Sequence, residues 1–200
     1  MGRTLNSSQD IGGEGKAVSE GGTFHCSVVR SADGASTKGN SMNGISALLT
    51  VLAGTVPSQV EKEFHLHLYD PDLSKSEASQ EWSTKKQTAY AIAINQMEPS
   101  KLGESVEVEF GEADGQQIII TLEESEYEGK KSIDLAYASI FHVDDPRAAN
   151  FPKSKEGLSI LPAELRRKPE YFAALVKKTS PPAMQPGQKK VDNADLTKGL

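Results

Sequence analysis

The chain is 200 residues long, 36% hydrophobic and 25% charged, with a formal net charge of −6. These values allow one compact domain with tails, or at most two small ones, and the acidic balance argues against duplex binding through a bulk basic surface. No apolar run is long enough for a bilayer, no signal-peptide pattern opens the chain, and a single cysteine, Cys26, leaves no intrachain disulfide or cysteine metal cluster. A cytoplasmic protein is the expectation.

Residues 1–21 are rich in Gly, Ser, Asn and Asp, the composition of a disordered arm. A first strand is expected over 22–30, where Phe24, Cys26 and Val28 alternate with His25, Ser27 and Val29. Residues 31–40 read as a loop with Lys38 near its tip. The second strand is expected over 42–55, with Ile45, Ala47, Leu49 and Val51 on one face and Gly44 and Gly54 suited to bulges. In the third, over 63–69, Phe64, Leu66 and Leu68 alternate with His65, His67 and Tyr69. One face fits a core, and the other carries flat, partly polar rings.

Ser74 and Glu77 fit a capping box for a helix running to about Met97, where Glu98-Pro99-Ser100 ends it. Ala78, Trp82, Ala89, Ile92, Ala93 and Met97 give its apolar stripe, with Trp82 expected to pack and Lys75, Lys85 and Lys86 to face water. Residues 102–110 form an optional strand. Strands over 116–123 and 132–143 follow, joined by a charged hairpin loop at 124–131 that holds Tyr127, Lys130 and Lys131. Beyond Pro146 the chain meanders, starts a short helix at Leu161-Pro162 and forms another turn or two over 170–178. The domains are then an arm (1–21), a barrel (22–152), a helical appendage (153–178) and a disordered tail (179–200).

Strand, strand, strand, helix, strand, strand is the order of an OB-fold. The expected class is mostly β with α: a five-stranded OB-like β-barrel with a helix between strands 3 and 4 and a short C-terminal helical appendage. Such barrels bind oligonucleotides and oligosaccharides on strands 2 and 3, flanked by the loops between strands 1 and 2 and strands 4 and 5. The template puts His65, His67 and Tyr69 on that face, Lys38 in the first flanking loop, and Tyr127, Lys130 and Lys131 in the second. Stacking rings with a few ammonium groups are the chemistry of single-strand binding.

Gly22-Thr23-Phe24-His25, Gly44-Ile45 leading to Val51-Leu52-Ala53-Gly54-Thr55, Gln116-Gln117, and Phe141-His142-Val143-Asp144-Asp145-Pro146 carry a resemblance. On these residues 22–152 resemble the OB-fold single-stranded-DNA-binding proteins that phages and mobile elements encode beside recombination and replication genes. The resemblance implies non-catalytic binding of single-stranded DNA in replication, recombination or repair, with replication or recombination proteins as further partners and no cofactor. Many such binders end in a strongly acidic tail that recruits partners; residues 191–200 carry only Asp192, Asp195 and a lysine.

Two other classes compete. The same barrel could serve as a protein-interaction module, docking through 161–176 and the Pro-rich tail. A metal-dependent enzyme could join His65 and His67 to His142, Asp144 and Asp145. Glu123, Glu124, Glu126 and Glu128 around Lys130 and Lys131 argue against phosphate binding there. No P-loop, dinucleotide fingerprint, nucleophile elbow or zinc-protease motif is present, and Cys26 reads as a buried small hydrophobe.

Overall fold

The computed structural model describes residues 16–35 and 43–179. Five strands, β1 (Gly22–Ala35), β2 (Asn43–Gly54), β3 (Glu63–Tyr69), β4 (Gln117–Tyr127) and β5 (Lys130–His142), form one open antiparallel sheet in the order β3-β2-β1-β4-β5. Helix α1 (Glu77–Ala93) separates β3 from β4 in the chain, and α2 (Lys155–Ile160) and α3 (Ala173–Thr179) follow the sheet. The protein is thus mostly β with few helices. No helix among the described residues is long and apolar enough to cross a membrane.

Alternation decides which side of the sheet becomes core. Phe24, Leu49, Leu66, Ile118 and Ile140, one from each strand, are buried together with Tyr90 of α1. Each large apolar side chain withdrawn from water contributes about 1.5–3 kcal/mol. Strand β1 sits at the centre because both its edges are used: Gly22 to Ser27 pair with β4, while Phe24 to Ala35 pair with β2. Two bulges interrupt the second ladder, with Leu52 extra in β2 and Val29 extra in β1. Bulges sharpen the local twist and re-aim the residues beyond them.

Several elements differ from the sequence expectation for identifiable reasons. Residues 16–21, assigned to the arm, do not hang free: Val18 N–H donates to Glu63 O at 2.9 Å, Glu63 N–H donates to Lys16 O at 2.6 Å, and Val18 is buried. Residues 31–35, read as loop, continue β1 because β2 pairs with them to its first residue. The hairpin loop at 124–131 shrinks to Glu128 and Gly129, both with positive φ, as a two-residue hairpin turn requires. Residues 102–110 form no strand and no ladder.

Helix α1 begins at Ser76 rather than Ser74. Ser79 N–H donates to Ser76 Oγ, while the N–H and hydroxyl of Ser74 both donate to Asp72 Oδ1 in a local turn. It ends four residues early because Asn95 takes a left-handed conformation (φ 61°), which stops a helix. The last turn, from Tyr90 to Ile94, is wholly buried.

The helical appendage also shifts. The helix expected at Leu161-Pro162 is a short turn, and the α-helix forms earlier as α2, capped by Ser154 Oγ, which accepts from Gly157 N–H at 3.0 Å. This segment covers the outer face where β1 meets β4. Ser154 N–H donates to His25 Nδ1, His25 Nε2 donates to Gln117 Oε1, and Gln117 Nε2 donates to Gly157 O at 2.6 Å. Over β2 and β3 the outer face stays open, with Ser46, His65, His67 and Tyr69 exposed.

Candidate nucleic-acid interface

The open face is built from alternate residues of three strands. His65, His67 and Tyr69 of β3 are exposed while Leu66 and Leu68 between them are buried, so the two faces expected from the alternation are present. The rings of His67 and Tyr69 lie nearly parallel (15°), with centroids 6.3 Å apart. They form a shallow aromatic step in solvent.

Neighbouring strands widen this step. Register places Leu48 of β2 opposite His65, and Arg30 of β1 opposite Leu48. Directly paired residues share a face, so Arg30, Leu48 and His65 make one row across the sheet. Ala32, Ser46 and His67 make the next. Gly44 lies opposite Tyr69, and a Cβ at Gly44 would press into the Leu68 carbonyl oxygen and reach within 2.8 Å of Tyr69 Cα, so a bare glycine allows this pairing. The result is one face that carries exposed Arg30, two imidazoles and a phenol, with Leu48 between Arg30 and His65.

Arg30 escaped the sequence reading. Strict alternation puts it on the Phe24, Cys26 and Val28 face, but the bulge at Val29 turns it outward. Such a bulge leaves no clear mark in the sequence, since Val29 is an ordinary strand residue.

The other site residues read from the sequence fare differently. Lys131 is exposed and lines a cleft of about 460 Å³ together with His65, so these two are brought together. That cleft lies between the starts of β3 and β5, with Val18 and Ser19 at its edge and Glu63 and Glu124 in its walls. Its charge is therefore mixed. Tyr127 and Lys130 pair with each other at the hairpin end, and their side chains lie outside the description. Lys38 lies outside the described residues.

The metal grouping is not assembled. His142 is buried, where Asp144 N–H donates to its Nδ1 and its Nε2 donates to Leu165 O. Burial lowers its pKa, favouring the neutral ring. Asp144 forms an ion pair with Arg166 at 2.6 Å, and Asp145 one with Arg147 at 2.7 Å. Burial by itself would raise the Asp144 pKa, but the bonds from Arg166 and the Arg167 N–H outweigh it and keep the carboxylate low. Among the described residues no group of three or more His, Cys, Asp or Glu side chains could hold a metal ion. Cys26 is fully buried, and burial pushes its thiol pKa far up, away from nucleophile chemistry.

Helix α1 carries its own departures. Trp82 packs, as expected, but against Tyr137 in a stacked pair with centroids 4.1 Å apart. Lys86, expected in water, is half-buried with its Nζ 4.6 Å from the Trp82 ring centroid.

No protein-family model matches the sequence, and no curated protein matches it.

Proposed function

We propose that the protein binds single-stranded DNA, without chemistry, on the outer face of β2 and β3. The observation that carries this reading is the exposed set His65, His67 and Tyr69 on β3, with exposed Arg30 on the same face of the sheet. Stacked bases contribute about 1–3 kcal/mol each, and imidazole and phenol rings accept any base because every base has a π-face. Arg30 supplies a charge for the backbone, or a plane for stacking.

The finer architecture belongs to the same proposal. The order β3-β2-β1-β4-β5 with a helix between β3 and β4 is an OB-like barrel opened between its third and fifth strands. The cleft that His65 shares with Lys131 supports this, since it lies where the closing ladder of such a barrel would run. Glu63 and Glu124 in that cleft favour a path for the phosphates over the Arg30 side of the face. Replication, recombination or repair in the cytoplasm is the setting such binding fits, with other replication or recombination proteins as partners.

Fluorescence anisotropy of an end-labelled poly-dT oligonucleotide, titrated with protein at low and high salt, tests the reading. Binding is expected to weaken with salt, with a log–log slope of about −0.7 for each phosphate neutralised. Absence of binding at low salt overturns it and favours a protein-interaction module on the same scaffold.

A further inference from the structure

A groove of about 850 Å³ runs along α1. One wall is β5, which is the sheet's last strand and pairs with β4 alone. Consecutive residues Ser139, Ile140, Phe141 and His142 all line the groove. Neighbours in a strand point to opposite faces, so a surface touched by all four runs along the strand's free edge. The other wall is the stretch 102–110.

That stretch is strand-like without a partner. Val106 and Val108 are half-buried toward the groove and pack on Ile92 and Met97, while Ser105, Glu107 and Glu109 face water. The backbone N–H and C=O groups of 105–108 make no backbone hydrogen bond among the described residues. An extended, alternating chain with open backbone groups is a template for one more strand. Two open edges therefore border one apolar groove.

We infer that this groove binds an extended peptide of a partner protein, in which apolar residues alternate with Lys or Arg, by strand addition. Backbone pairing supplies affinity and the alternating side chains supply choice. Apolar residues of the peptide enter the groove over Ile92, Met97 and Val108. The intervening residues meet Glu107 and Glu109 across the new ladder, where opposite charges stabilise a cross-strand pair.

The charges favour a peptide over a nucleic acid. Lys85 is paired with Glu81 at 2.8 Å, and Arg147 with buried Asp145. Glu104, Glu107 and Glu109 would repel phosphate along the other wall.

A fluorescent nine-residue peptide of alternating Lys and Val, titrated into the full chain at physiological salt, tests the inference. A block peptide of the same composition, with all lysines before all valines, is the control. The alternating peptide is expected to bind at least ten-fold more tightly. The ladder that sets Lys against Glu107 and Glu109 forms on 105–108, so N-methylation of the alternate amides facing that stretch is expected to abolish binding and methylation in the other phase to spare it. Glu107→Lys with Glu109→Lys, both exposed, is expected to weaken binding ten-fold while leaving the melting curve unchanged. Equal binding of the two peptides, or indifference to the N-methyl phase, overturns the inference. Displacement of the peptide by poly-dT that is lost in Lys86→Glu assigns the groove to nucleic acid instead. A dimer that dissociates in the Glu107/Glu109 variant assigns it to a second copy.

Discussion

Ser154 N–H donates to His25 Nδ1 at 3.0 Å, joining residues 129 positions apart. The bond requires a neutral imidazole, because Nδ1 must offer its lone pair. Burial above all, with the Lys153 charge, lowers the His25 pKa to about 4, against a partial offset from the Gln117 hydrogen bond. His142 is built the same way and shifts in the same direction. An unfolded chain protonates these rings near pH 6.5, so its proton uptake exceeds that of the folded state below about 6.5, and for His25 down to about 4. The melting temperature is expected to show no contribution from them above pH 6.5, and to fall as pH drops toward 4. His25→Gln should flatten part of that slope in thermal melts across the range. An unchanged slope contradicts the assignment.

Tyr90 OH donates to Ser31 Oγ at 3.0 Å in the core, and burial raises its phenol pKa to about 12. Tyr90→Phe leaves a buried hydroxyl unpaired and is expected to cost about 1–3 kcal/mol in denaturant titrations. A neutral result would mean that Ser31 finds another partner.

Gly54 lies flat against Phe24, so close that a Cβ there would overlap the ring. Gly54→Ala must displace a fully buried aromatic at the sheet's centre. Overpacking of this kind costs about 1–3 kcal/mol, measurable as a lower urea midpoint at unchanged slope.

Trp82 is the sole tryptophan, so its emission reports on its stack with Tyr137. Tyr137→Ala should shift that emission to the red and cost about 0.5–1.5 kcal/mol beyond lost area. Unshifted emission would show that the pair does not persist in solution.

The strands over 43–69 were legible because alternation governs them: Leu66 and Leu68 are buried and His65 and His67 are exposed, as the pattern required. What the pattern hid came from bulges and long-range bonds. Arg30 turned outward at the Val29 bulge, and residues 136–139 of β5 stand opposite Thr121 alone, which projects Tyr137 toward Trp82. His25 and Gln117 were visible as residues of the resemblance, but their bonds to 154–157 depend on where a distant segment lands. The early stop of α1 did have a sequence signal in Asn95, which competes with the stronger signal of Pro99.

Oligonucleotide binding of the His65→Ala/His67→Ala/Tyr69→Ala variant tests the β2–β3 interface itself. All three side chains are exposed, so the fold should survive and the melting curve should match the parent's. Affinity for poly-dT should fall at least ten-fold, since even one lost stacked base removes about 1–3 kcal/mol. Undiminished binding by a folded triple variant would contradict a β2–β3 interface.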